Sequence, residues 1–293
     1  MKRISGISIL AGSAALLFFL ASCATFQHGW DYHETQVIGT DPGQAMAEAH
    51  RLEHVAATAE EVQSLIAAFQ KIEKVDPANY YALWKIGNYH ILMGAAHSEK
   101  VKDKKFHYRE ALKYCEKAMY TNEAFREAIK NGASITEASE KLTLAEIDAM
   151  GYWYTARFYY FSECLRPLGR LFNTRIVIDN NKIIEQIDRL DPNWAGGGNY
   201  FSRGLYYIAV PERFGGSKQK AGEEFSMAIE AGPDYLVNRW GRAKYLYDLI
   251  GDTEGFYSDL QWVISQDPHQ AGNPYPWNVY FQEDARKLLA ESK

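Results

Sequence analysis

Four prolines set the register of this chain: Asp76-Pro77, Asp191-Pro192, Gly232-Pro233 and Asp267-Pro268. Each follows a stretch whose apolar residues recur three and four apart, as in VQSLIAAFQKIEKVDP, IIEQIDRLDP, KAGEEFSMAIEAGP and FYSDLQWVISQDP. That spacing puts the apolar side chains on one face of a helix. Aspartate caps helix starts and proline suits the first turn, so each Asp-Pro junction is expected to end one helix and begin another. Aromatic-rich stretches follow the prolines. A chain built this way is a succession of helix pairs. No single pair can bury its own apolar face, so the pairs must stack.

Small residues mark where such helices would approach most closely. Gly87 occupies that place in YYALWKIGNYHILMG, and Ala111, Cys115 and Ala118 give small, large and small positions in YREALKYCEKAM. A later pair has Gly204, then Ala221, Phe225, Ala228 and Pro233; the last keeps Trp240, Gly251, Leu260 and Pro268. The pattern resembles the tetratricopeptide repeat, a helix pair of about 34 residues. The expected fold is all-α, a tetratricopeptide-like helical-hairpin array (an α-α superhelix) of about 10–12 helices. Pairs are expected near 42–74, 78–120, 144–190, 195–231 and 234–266, with a closing helix near 277–291. The charged run HSEKVKDKKFHY is expected as a solvated loop between two helices. The segment 122–143 breaks the period; it is expected to prolong one helix, turn at Asn131-Gly132 and cap another at Thr136. RIVIDN is read as helix, since a lone strand has no partner in a helical array.

The amino terminus decides the compartment. Lys2 and Arg3 precede an uncharged run that passes Cys23. Its apolar part ends at Leu20 after about 17 residues, short of the roughly 20 that a spanning helix needs. A basic start, an apolar middle and small residues describe an export signal. Leu20-Ala21-Ser22-Cys23 resembles the bacterial lipobox, which implies a diacylglycerol on Cys23 as first residue of the mature chain. Residues 1–22 are then a lipoprotein signal peptide, 23–40 a tether and 41–293 the helical-repeat domain. The domain would sit on the periplasmic side of the bacterial envelope, joined to the membrane through its lipid anchor. Ala24 after the cysteine favours the outer membrane, by resemblance to enterobacterial sorting. An uncleaved membrane anchor with an incidental cysteine is the competing reading and leaves the domain outside the cytoplasm too. The formal net charge is −5, and loss of Lys2 and Arg3 makes it more negative, which excludes nucleic acid as a partner. Cys115 and Cys164 sit in apolar helical stretches and are expected as buried free thiols, with a disulfide between them as the alternative in an exported chain.

Three further stretches carry a more specific resemblance. MGYWYTARFYY, PERFGGSKQKAGEEFSMAIE and NEAFREAIKNG resemble the signature segments of the T-component of tripartite ATP-independent periplasmic (TRAP) transporters. The likeness covers roughly 110 to 270. It implies a periplasmic lipoprotein with a helical-repeat fold that forms a homo-oligomer, a trimer with a central pore, and partners the transporter's solute-binding protein. The chain departs from that pattern in Gly151 before Tyr152-Trp153, in the insertion near 96–107 and in its first helix pair.

In an array of this kind the first helix of each pair lines the concave face. Counting from the small positions puts Tyr81, Trp84 and Asn88 there, then Tyr154, Phe158 and Phe161, then Phe201 and Leu205, then Asn238 and Tyr245. Two readings stand: packing against neighbouring helices or a partner subunit, or a groove or pore for an apolar or amphipathic solute or a peptide. Arg157, Arg203 and Arg239 are the candidate anion contacts, set against structural pairing with the chain's many carboxylates. Chaperone-type repeats clamp a terminal carboxylate with several Lys, Arg and Asn; only Asn88 fits, so that ligand class is set aside. PERFGGS lacks the Lys-Ser or Lys-Thr of a phosphate loop and reads as a turn with a glycine at positive φ. HRLEH, His50 to His54, has the letters of an inverted zinc-protease motif but no third ligand in view. No catalytic residue, metal site or cofactor is expected. The leading function is a non-enzymatic accessory of a TRAP-type transporter, docking its solute-binding protein and passing an organic acid or apolar solute. The alternative is an envelope scaffold assisting outer-membrane or cell-wall assembly.

Overall fold

The computed structural model describes Phe26, His28, Gly29 and residues 42–292; Cys23, the expected signal peptide and most of the expected tether lie outside the described residues. The described chain is all-α, and no strand occurs among those residues. Its helices are α1 Pro42–Glu53, α2 Ala59–Val75, α3 Tyr80–Ala96, α4 Val101–Tyr120 and α5 Glu123–Lys130. Then come α6 Ile147–Tyr159, α7 Pro167–Phe172, α8 Arg175–Leu190, α9 Trp194–Ala209 and α10 Lys218–Ala231. The last three are α11 Leu236–Gly241, α12 Thr253–Ser265 and α13 Tyr275–Glu291. Two helices run on through wider π-helical turns, α6 through Tyr160–Cys164 and α11 through Arg242–Tyr247. The largest contacts join sequence neighbours: α3 with α4, α9 with α10, α1 with α2. Further contacts step along the chain from α4 to α6, α8 to α9 and α12 to α13. One apolar cluster runs from Ala45 to Ala285, and a smaller one gathers Leu205, Ala221, Phe225 and Leu246.

The proline junctions end helices as expected but do not start them. Asp76, Asp191 and Gly232 stand at the C-caps of α2, α8 and α10. Each next helix begins only after a turn, because the ring of proline stops the preceding ladder; at α3 alone of the four, an acceptor side chain further on then chooses the start. Asn79 does this for α3, accepting from Ala82 N at 3.0 Å. Three asparagines then fasten these turns. Asn199 donates to Asp188 Oδ1 and to Asp191 O, Asn238 to the carbonyls of Gly196, Ala228 and Gly232, and Asn278 to those of Pro268, Ala271 and Asn273. Backbone carbonyls buried beside a proline need such donors.

Other expectations need correcting. Most of HSEKVKDKKFHY is the first part of α4, not a loop: its lysines are good helix formers and its charges lie on solvated turns. The segment 122–143 does not prolong α4, because Asn122 breaks the helix and caps α5 through Phe125 N. Gly132 does turn the chain, at φ 89°. The cap that follows is Ser134, reciprocated by Glu137, and not Thr136. RIVIDN is helical, within α8. Gly215 holds φ 99° in the PERFGGS turn. Cys115 and Cys164 are free and buried.

Two glycines let neighbouring elements touch. A Cβ at Gly151 of α6 would stand 2.0 Å from the Trp194 ring, and one at Gly241 of α11 would stand 2.0 Å from the Phe201 ring. Both neighbours are rings, so a methyl cannot be accommodated by swinging a flexible chain end aside. Gly151→Ala should lower the free energy of urea unfolding by about 1–3 kcal/mol, whereas Gly169→Ala, whose nearest neighbour is Leu165 Cβ at 3.8 Å, should leave it within about 0.5 kcal/mol.

Candidate functional site

Aromatic side chains of α6, α9, α11 and α13, with aliphatic ones of α8, wall a cavity of about 150 Å³. α6 and its π-helical turn supply Tyr154, Phe158 and Phe161; α9 supplies Phe201 and Leu205; the π-helical turn after α11 supplies Tyr245. These six are sequence candidates, brought together. Opposite them stand Ile176 and Ile184 of α8, and Trp240, Trp277 and Phe281. Trp194 closes one end from a turn of its own, because Ala195, Gly196 and Gly197 all take positive φ and the regular helix starts after them. The rings meet mostly edge to face, as Phe158 does with Tyr245 at 6.2 Å between centroids.

The wall carries no Lys, Arg, His, Asp or Glu. Its polar groups are few. Ser202 Oγ lies 2.8 Å from Tyr154 Oη and 2.7 Å from Gly198 O. Asn180 donates through Nδ2 to the Tyr154 carbonyl at 3.0 Å, which leaves its Oδ1 without a partner. Burial pushes the Tyr154 and Tyr245 hydroxyls well above the ordinary tyrosine range, so both stay neutral.

The remaining candidates lie elsewhere. Tyr81 packs edge-on to Phe69, His50 and Trp84 in the first helices. Trp84 stacks on Tyr152, 5.4 Å between centroids, one layer behind the cavity wall. Asn88 is buried and accepts from Trp277 Nε1 at 2.8 Å. Asn238 is spent on the turn carbonyls described above. The three arginines pair with carboxylates. Arg157 donates to Asp179 at 3.2 Å and lies over the Trp153 ring; burial lowers its pKa, with Asp179 opposing. Arg203 bridges Asp188 and Glu224; burial lowers its pKa, but those two carboxylates outweigh it and the net shift is upward. Arg239 joins Arg242 on the buried Asp259. None of the three lines the cavity.

Sequence counting missed Trp194, Trp240, Trp277 and the α8 aliphatics. The aromatic clusters GYWYTARFYYF and PYPWNVYF were the available signal. Only the fold shows that they converge.

The HRLEH motif is dispersed by its surroundings. His50 and His54 are exposed, and Glu53 is held by Lys85 and Tyr89, each at 2.5 Å. Among the described residues no group of three or more His, Cys, Asp or Glu could hold a metal ion. A second pair, His90 and His107, brings its Nδ1 atoms within 3.0 Å. Burial, then the neighbouring ring, pushes the pKa of His90 down to about 3; burial lowers that of His107 as well.

The chain matches the family described as TAtT, TRAP transporter T-component, over residues 92–293, and belongs to that family. No curated protein matches it. Family membership is consistent with a non-enzymatic accessory protein.

Two outcomes follow from this geometry. An apolar fluorophore such as N-phenyl-1-naphthylamine should bind the purified domain, and Leu205→Arg should abolish the fluorescence gain while the helical circular dichroism persists. The histidine pair makes the fold acid-sensitive. Its folded pKa values lie below the unfolded 6.5, so the stability it contributes is complete above that pH and falls as protons bind the unfolded chain first. Between pH 6.5 and 5 the His90 contribution should drop by about 2 kcal/mol, at about 1.4 kcal/mol per pH unit. Urea unfolding across that range should show the drop, and His90→Gln should flatten it.

Proposed function

On the premise of that family membership, we propose that the chain is a lipid-anchored accessory component of a TRAP-type transporter. It docks the solute-binding protein on the periplasmic side and passes a solute through the aromatic cavity. Its helices act as a tetratricopeptide-like array, supported by the stepwise contacts of neighbouring pairs and by the repeated asparagine fastening of the turns. Cys23 carries the anchor, and the outer membrane is its favoured location. The assembled form is a homo-oligomer, a trimer by family likeness.

The observation that carries this reading is the uncharged cavity wall. A carboxylate entering it would lose its water without meeting a cation, and such a transfer is strongly unfavourable. The wall therefore suits an apolar solute, or an organic acid in its protonated form. The unpartnered Asn180 Oδ1 adds an acceptor at the α8 side. Large rings give contact area with little rotamer entropy to lose. Tyr81, Trp84 and Asn88 serve the same reading from behind the wall, Trp84 by stacking on Tyr152 and Asn88 by orienting Trp277. Arg157, Arg203 and Arg239, each on a carboxylate, keep their charge out of the cavity.

Mild crosslinking of the native envelope followed by purification of this chain should recover a TRAP-type solute-binding protein. Recovery of barrel-assembly or wall-synthesis proteins in its place would overturn the transport role in favour of a scaffold.

A further inference from the structure

Phe26, His28 and Gly29 are fixed to the body. Gly29 N donates to Glu116 Oε2 at 2.9 Å, and His28 Nδ1 lies 3.3 Å from the same oxygen. Glu116 is buried, and its other oxygen accepts from Trp153 Nε1 at 3.0 Å. Gly29 abuts the Lys113 carbonyl so closely that a Cβ would fall 2.1 Å from the oxygen. The Phe26 ring stands edge-on to Tyr160, 5.1 Å between centroids, beneath the Arg157 guanidinium. Two residues, and so three Cα-to-Cα steps, separate Phe26 from Cys23. At 3.3–3.6 Å per residue they reach at most about 11 Å. An acyl group on Cys23 would therefore be attached within about that distance of Phe26.

Tyr160 opens the π-helical turn that leads into α7. Arg170 of α7 donates back to the carbonyls of Leu165 and Ser162, tying the helix to that turn. The chemistry of this region is unusual for an acidic protein. Leu168 and Leu171 are 65% and 61% exposed, and Ile178 of α8 is 55% exposed. In the same region stand exposed Arg109, Arg166 and Arg170, none paired with a carboxylate among the described residues, and Arg175, whose side chain is 85% exposed and lies 3.7 Å from Asp179. Arg109 reaches the Tyr160 hydroxyl at 3.4 Å. Apolar side chains among exposed arginines are what the headgroup layer of an anionic bilayer accommodates: the aliphatic groups enter the acyl boundary and the guanidinium groups meet phosphates.

We propose that α7 and the turn before it form a membrane-contact face, which lays this domain directly on an anionic phospholipid surface. This rests on the reading of Cys23 as the lipid anchor. The exposed Arg109, Arg166 and Arg170 complement lipid phosphate, and an anchor within reach of Phe26 would hold this face against the bilayer that carries it, which selects the bilayer over a second copy of the chain. The lipid then does more than prevent escape; it sets the orientation of the array, with the Phe161 and Ile176 edge of the cavity next to the contact face.

The test uses the full acylated chain in vesicles of phosphatidylethanolamine and phosphatidylglycerol. Leu168→Cys carries a bimane label, and Ser258→Cys on α12 carries the control label; the buried Cys115 and Cys164 stay unlabelled. Nitroxide-labelled lipid should quench the label at 168 severalfold more than the label at 258. Replacing phosphatidylglycerol by phosphatidylcholine, or combining Arg109→Gln with Arg166→Gln, should reduce that difference at least twofold. If mass spectrometry shows the acyl groups but position 168 is quenched no more than 258, the contact face is overturned while the anchor stands. Crosslinks between chains at 168 in that case would assign the face to a second copy. If the mass shows no acyl group on Cys23, the anchor reading and the contact face fall together.

Discussion

Bare helix backbone at Gly151 and Gly241 is the constraint on which the rest depends. Each glycine leaves the space that one aromatic ring fills, Trp194 in the first case and Phe201 in the second. Those two rings are also walls of the cavity. The same contacts that bring α6, α9 and α11 together therefore shape the space between them. Packing at this density leaves little slack, so the cavity is a property of the core and not a surface indentation added to it.

Charge is distributed to match. Arg157, Arg203 and Arg239 are each occupied by a carboxylate, and the wall itself holds only neutral groups. Paired ions near a surface add little net stability, but an unpaired one facing an apolar space would draw water or an anion into it. Neutralisation outside the wall keeps the interior apolar. The tyrosines contribute without complicating this, because their raised pKa values hold them in the uncharged form.

Much of the fold was legible because its period is written twice, in apolar spacing and in the proline junctions. The helix starts were less so: proline stops a ladder by steric clash, whereas a start such as that of α3 depends on where Asn79 can reach a free N–H. HSEKVKDKKFHY has the charge expected of a loop yet is mostly helix, because charge reports solvent exposure, and an exposed helix satisfies that as well as a loop does. The cavity was half legible. Tyr154, Phe158, Phe161, Phe201, Leu205 and Tyr245 follow from one face of first helices, yet Trp277 and Phe281 come from α13, which no count of pairs assigns to that face. Tyr81 was drawn in by the same count, but α2 and α1 already cover it through Phe69 and His50. The two π-helical turns leave no mark in composition, and they alter where Phe161 and Tyr245 emerge.

Open solenoids grow by duplication, since each unit meets only its neighbours and one more can be inserted without disturbing the others. The bond from Trp277 to Asn88 removes that freedom between α3 and α13, which it joins directly. A duplicated or deleted hairpin would carry the indole out of reach and leave a buried amide unmatched. That one contact thus ties the spacing of α3 and α13 to everything folded between them.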